Sequence, residues 1–295
     1  MIFYKTSSFG NDFIEINQEE LSPKRTGKSA LARAICDRQR GVGADGVVFY
    51  RIKGGAPRFE IFNKDGSAAE LSGNGMAGLA VVLWQRRLAS SPLVLKAAAG
   101  RRHVVLVKRR RSDYHLDVEI GRPDFADRGF FPFLGAPGAS YSCTGVEFHP
   151  VSVGNPHAVV LLPRMPAAAR LAALGRTLES HPMFPRRVNV EFVHLAPGES
   201  SRVFFFERGV GPTLASSTGS AAVFAVLRRL GKIHDHLDIE LDVDSTAEDP
   251  AGKEDGSHRE GCPAGGCAEA IHVRWEGGIH VRILTRLVCR GEYFL

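Results

Sequence analysis

Two short polar loops 144 residues apart carry the chain's most chemically useful residues. Ser72-Gly73-Asn74-Gly75 and Ser216-Ser217-Thr218-Gly219 each run into a strongly apolar stretch. An apolar stretch behind such a loop predicts a buried helix, and the N–H groups of a helix's first turn have no acceptor within the helix. They bind anions, carboxylates among them, and the helix dipole adds to the attraction. Two such ends facing one cleft hold an α-carboxylate from both sides. For one loop alone the plainer reading is a helix cap, since Ser, Asn and Gly all suit that position. Two loops at matching places favour a site.

Nine residues before each serine stand Asn63 and Glu207. An amide and a carboxylate at equivalent places suit an ammonium group. Arg208, beside Glu207, offers a bidentate fork for a second carboxylate. Asn11, Asn155, Asn189 and His157 complete a polar set. Each asparagine alone reads as a turn residue bonded to nearby backbone; their recurrence in both halves lifts them above that.

The elements that must position these residues also come in two copies. Gly10-Asn11 recurs as Gly154-Asn155, Phe62-Asn63 as Phe206-Glu207, and the serine loops follow the same offset, with Asp45 placed against Asn189. A fixed offset across the chain is the mark of an internal repeat. Each copy predicts strands (Phe13–Ile16, Gly46–Arg51 and Arg58–Phe62; Ala158–Leu162, Val190–Leu195 and Val203–Phe206). Each also predicts an outer helix (Ala30–Asp37; Ala167–Leu178) and an apolar helix (Gly75–Arg87; Gly219–Leu230). A helix that is apolar nearly all round must be wrapped on several sides. The expected fold is therefore α+β, with two pseudo-symmetric lobes, each a strongly curved sheet around a central helix. The lobes are residues 1–121, completed by a closing strand near 285–295, and 122–284. Final strands are expected at Ile279–Leu284 and Leu287–Phe294, and residues 245–268 read as a disordered polar loop.

Composition excludes several classes. At 295 residues with 44% hydrophobic and 24% charged content, the chain reads as a soluble globular protein. No stretch approaches a membrane span. No signal peptide is evident, so the cytoplasm is the expected compartment. Five scattered cysteines argue against a disulfide framework. Cys262, Cys267 and His258 lack a fourth ligand and the usual zinc spacing, so no metal is expected. The net charge of +6 is densest at Lys108-Arg109-Arg110-Arg111, read as a solvated turn between strands Val104–Val107 and His115–Ile120. Basic residues interleaved with aromatics are absent, which argues against nucleic acid. The expected partner is a small anionic amino acid, with homodimerisation left open and no cofactor.

As a set, Gly10-Asn11-Asp12-Phe13, Gly41-Val42-Gly43-Ala44-Asp45-Gly46, Asn63-Lys64-Asp65-Gly66-Ser67, Gly73-Asn74-Gly75, Gly154-Asn155-Pro156-His157 and Glu207-Arg208-Gly209-Val210-Gly211 resemble the diaminopimelate epimerases. These are PLP-independent enzymes that interconvert L,L- and meso-diaminopimelate for lysine and cell-wall precursors. The resemblance implies a cofactor-free reaction at an amino-acid α-carbon, with one cysteine thiolate removing the proton and a second thiol replacing it on the other face. It implies that Gly73, Asn74, Ser217 and Thr218 hold the reacting carboxylate and that Asn63 and Glu207 hold the reacting ammonium. Asn11, Asn155, Asn189 and Arg208 would hold the distal end, with His157 and Glu207 tuning the bases. At both cysteine positions this sequence has serine, Ser72 and Ser216. Met76-Ala77-Gly78 and Ser217 also depart from the family's usual residues, as in a natural variant rather than an engineered one. Three functions follow: an epimerase-like isomerase, a one-base isomerase or dehydratase using Glu207, His157 or Asp45, or a non-catalytic amino-acid binder.

Overall fold

The computed structural model describes residues 1–21, 27–52, 55–97, 100–135, 140–196, 200–241 and 270–294. The sequence-predicted loop 245–268, with Cys262, Cys267 and His258, lies outside them.

The first copy runs β1 (Ile2–Ser8), β2 (Asn11–Asn17), α1 (Lys28–Cys36), β3 (Gly46–Arg51), β4 (Arg58–Asn63), β5 (Ala68–Ala69), α2 (Gly73–Gln85), β6 (Leu93–Ala97), β7 (Gly100–Arg110) and β8 (Asp113–Gly121). A short β9 (Tyr141–Cys143) follows. The second copy then runs β10 (Val146–Ser152), β11 (Pro156–Leu161), α3 (Ala168–Glu179), β12 (Asn189–Leu195), β13 (Ser200–Glu207), β14 (Gly211–Thr213), α4 (Ser217–Arg229), β15 (His236–Glu240), β16 (Ala270–Trp275) and β17 (Ile279–Glu292). The strands join into one continuous sheet.

The repeat is visible in the register. β4 meets β5 at Ile61↔Ala69, and β13 meets β14 at Phe205↔Thr213. β4 runs parallel to β6 at Arg58↔Lys96, and β13 to β15 at Arg202↔Glu240. All four positions keep the 144-residue offset. One landmark does not. The parallel pairs Phe13↔Gly46 and His157↔Asn189 make Gly46, not Asp45, the counterpart of Asn189. The connection through the outer helix is one residue shorter in the second copy.

α2 packs against β1, β2, β3, β7, β8 and β17, and α4 against β10, β11, β12, β15, β16 and β17. Every residue from Gly73 to Leu83, and from Ser217 to Leu227, is buried. Each fully buried Leu or Val there gains roughly 1.5–3 kcal/mol over exposure. The outer helices bury one face only, Leu31, Ala32, Ile35 and Cys36 in α1. No described helix is long and apolar enough to cross a membrane.

Two sequence expectations need correction. The two final strands are one, β17, which pairs with β16 and β8 and then continues along β1. β8 pairs with it as far as Arg286 and β1 takes over from Thr285, so a partner strand is present along its whole length and nothing ends the strand. The basic run is not a turn: Lys108, Arg109 and Arg110 belong to β7, and the reversal falls at Arg111, whose φ is 52°. Exposed side chains on a strand edge leave the backbone free to keep pairing with β8.

Candidate active site

Both central helices begin two residues earlier than the apolar pattern suggests, because their serines cap them. Ser72 is extended (φ −146°, ψ 120°) and its Oγ accepts from the Gly75 N–H at 3.1 Å. Ser216 is extended (φ −140°, ψ 119°) and its Oγ accepts from the Gly219 N–H at 3.2 Å. This is the serine N-cap geometry. The two helix starts abut: a Cβ on Gly73 would collide with the Ser217 hydroxyl. Only glycine permits that approach.

Asn74 bridges the copies, donating to Asn11 Oδ1 at 2.9 Å and to the Ala215 carbonyl at 3.3 Å. Asn155 answers from the other side, donating to the Leu71 carbonyl and to Thr218 Oγ1, each at 3.4 Å. Each copy thus hydrogen-bonds the residue just before the other copy's capping serine.

The cleft beside these ends is narrow, with a cavity volume of about 30 Å³, and Asn63, Ser72, Asn155, Asn189, Glu207, Arg208 and Thr218 line it, with Phe13, Leu71 and Val210 as apolar walls. Ser216 lies just behind it, buried, with its hydroxyl beside the Glu207 carboxyl. Arg208 is held from both ends: its N–H donates to Asn189 Oδ1 at 3.0 Å and its carbonyl accepts from Asn63 Nδ2 at 3.2 Å. Gly209, with φ 76°, lets this turn press against Asp65 and Ser67 of the first copy.

Burial pushes the Glu207 carboxyl up to about 7; the Ser216 hydroxyl opposes the shift, and the charges of Asp45 and Glu191 add to it. A carboxyl titrating there suits proton transfer near neutral pH.

Asn11, Asp45 and His157 lie behind the cleft instead of on it, and Gly73, Asn74, Ser216 and Ser217 are buried in the helix starts beside it. Asn11 is buried and spends its amide on Asp45 Oδ2 at 3.1 Å, so it supports Asn74. Asp45 is also tied to Arg38 at 3.2 Å. His157 is wholly buried, with Nδ1 2.7 Å from Glu191 Oε1 and Nε2 2.9 Å from Asn155 Oδ1. Both ring nitrogens are spent, so His157 orients Asn155. Of the three bases considered, Glu207 alone faces the cleft.

Glu191 and Glu70 escaped the sequence reading. Glu191 had a signal, a carboxylate inside the apolar strand Val190–Val193; Glu70 had none beyond standing two residues before Ser72.

The model of the family described as diaminopimelate epimerase matches residues 3–125 and 150–250. The chain belongs to the diaminopimelate epimerase family. It is 31% identical over 306 residues to the diaminopimelate epimerase of Carboxydothermus hydrogenoformans, covering all of both chains. It is 39% identical over 240 residues to that of Desulforudis audaxviator, covering 76% of this chain and 82% of the relative. Among solved structures it matches a probable proline racemase from Agrobacterium radiobacter with bound carbonate, at TM-score 0.66 and 14% identity, covering 100% of this chain and 93% of that one. A hydroxyproline epimerase from Agrobacterium vitis with bound trans-4-hydroxy-L-proline matches at TM-score 0.65 and 16% identity, covering 100% and 91%. At that identity these two establish the fold. Membership places the protein among isomerases of the amino-acid racemase and epimerase type.

Proposed function

We propose that this family member binds a two-headed amino acid of the diaminopimelate type and exchanges the proton at its α-carbon mainly from one face, through Ser216 backed by Glu207. The observation that carries the reading is the pair of abutting helix starts, one capping serine beside a carboxyl group and the other with only the Asn63 amide at the equivalent place. The first-turn N–H groups of both helices hold the α-carboxylate and stabilise the charge that spreads onto it as the proton leaves. Asn63 and Glu207 orient the ammonium; Asn155, Asn189 and Arg208 take the distal end. The α-proton passes to Ser216 Oγ as its own proton passes to Glu207, and returns by the same route.

The opposite face is weaker by chemistry. A thiol titrates near 8.5 and a hydroxyl such as water's near 15.7, a gap of about seven units, or roughly 10 kcal/mol for making the base. Glu207 offsets part of that on the Ser216 face. Ser72 has no such partner, so inversion is slow compared with exchange.

The lobes of this reading are residues 1–121, completed near 285–295, and 122–284, with the site between them. The protein acts in the cytoplasm on a free amino acid; light scattering decides between monomer and homodimer.

The test is deuterium incorporation at the α-carbon of L,L- and meso-diaminopimelate in heavy water, alongside thermal denaturation. Ligand that binds only the folded state raises the midpoint. Stabilisation with exchange outpacing inversion is the expected result. Stabilisation with neither makes the protein an amino-acid binder, and no stabilisation removes diaminopimelate as the ligand.

A further inference from the structure

A cluster of charged contacts crosses between the copies at the rim of the cleft, Arg187 with Asp65 at 3.4 Å and Glu70 with two arginines. Glu70, in the connection from β5 to α2, accepts at Oε1 from Arg186 Nη2 at 2.7 Å and at Oε2 from Arg208 Nη2. Arg208 Nη1 in turn donates to the Arg186 carbonyl at 2.9 Å. The Arg208 side chain is only 10% exposed, against 53% for Arg186. Two guanidinium groups share one carboxylate, so the cluster keeps a net positive charge and still attracts an anion.

We infer that Glu70 is the positioning residue for Arg208, and that it ties recognition of a ligand's far carboxylate to the loop carrying Ser72. The inference rests on the preceding reading of the ligand. A free arginine side chain carries large rotamer entropy, and a bidentate contact needs its planar fork in one orientation. Fixing that fork beforehand removes the ordering cost from binding. In a largely buried ion pair the cost of desolvation offsets much of the attraction, so orientation is what this contact supplies. Because Glu70 stands two residues before Ser72, the same contact holds the Ser72 loop against the second copy.

The experiment compares dissociation constants for meso-diaminopimelate and L-lysine, which lacks the far carboxylate, by titration calorimetry on the full chain. Glu70→Ala should weaken diaminopimelate about tenfold or more, the scale of a hydrogen bond to a charged group, and leave lysine nearly unchanged. Glu70→Gln, which keeps the shape without the charge, should fall between. Glu70→Ala combined with Arg208→Ala should be no worse than Arg208→Ala alone, since the two act as one unit. Equal weakening of both ligands, or tighter diaminopimelate binding in Glu70→Ala, overturns the inference. A wild type that prefers diaminopimelate while Glu70→Ala keeps that preference overturns this inference alone. A wild type with no preference overturns the ligand reading and this inference together.

Discussion

The two copies start their central helices in nearly the same way and surround those starts differently. In the first copy, Gly75 faces Val48 and Phe13. In the second, Gly219 faces Glu191 and Phe205. The register makes His157 the counterpart of Phe13 and Glu191 that of Val48, and the repeat makes Glu207 that of Asn63. An apolar wall in one copy is therefore a histidine–carboxylate pair in the other. Burying such a pair is expensive, and a well-packed apolar pair of similar volume is often as stable or more so. Here the pair fixes the Asn155 amide, whose Oδ1 lies 2.9 Å from His157 Nε2 while Nδ1 lies 2.7 Å from Glu191 Oε1. On the proposed reading, the duplication kept the scaffold that captures a carboxylate and placed the acid–base groups on one side.

The strongest way to break this comparison is to give both sides the same base. Ser72→Cys with Ser216→Cys should create or greatly raise epimerisation of diaminopimelate, by several orders of magnitude, because the thiol removes most of the roughly 10 kcal/mol gap in forming the base. One restored thiol should give little inversion, since a base on one face needs an acid on the other. Chiral chromatography of the product checks it. A wild type already as fast as the double variant shows that the two sides are chemically equal.

Glu207→Gln removes the one group that distinguishes the Ser216 side in proton transfer. Exchange should fall about 10²- to 10⁴-fold, the usual worth of a positioned base. In the unchanged protein the base form is the carboxylate, so kcat/KM for exchange should rise with pH and level off above about 7, the value to which burial lifts this carboxyl. The glutamine variant should lose that inflection. Keeping it would assign the titration to another group.

What sequence alone could reach follows from the range of each interaction. The capped helices, the alternating strands and the repeat are local patterns with short periods, so Ser72, Ser216, Asn63 and Glu207 were legible in outline. The abutment of Gly73 on Ser217 depends on how two distant helices dock, and no local pattern encodes it. His157 and Asn11 were legible as polar and misplaced by depth, because a motif gives residue type without saying which layer it occupies. Glu70 pairs across 116 and 138 residues, with Arg186 and Arg208; only folding brings that contact into view.

A smaller effect comes from rewriting the second copy's pair in the image of the first. Glu191→Val alone leaves His157 Nδ1 buried without its partner and should cost about 1–3 kcal/mol. Adding His157→Phe should recover much of that stability, as an apolar pair replaces an ionic one. The double variant should nonetheless bind diaminopimelate more weakly, because Asn155 loses the hydrogen bond that orients it. Urea denaturation with calorimetry separates the two. Full stability together with full affinity would reduce the pair to packing.

The smallest change tests the likeness of the copies instead of their difference. Ser72→Ala and Ser216→Ala each delete one N-cap hydrogen bond, Oγ to Gly75 N at 3.1 Å and Oγ to Gly219 N at 3.2 Å. Removing a serine cap costs about 0.5–2 kcal/mol. The two helix starts have matching dihedral angles and buried first turns, so the cap contributions should be alike, and Ser216→Ala should cost more than Ser72→Ala by what its hydroxyl contributes beside the buried Glu207. Their chemistry should not agree. Ser216→Ala removes the hydroxyl beside Glu207 and should abolish most exchange, whereas Ser72→Ala should leave exchange largely in place and suppress only residual inversion. Losses of the size of a cap in both, with unequal exchange rates, would separate what duplication preserved from what it changed. Equal losses in both would mean that the serines serve as caps alone, and that proton transfer, where it occurs, passes from the α-carbon to Glu207 directly.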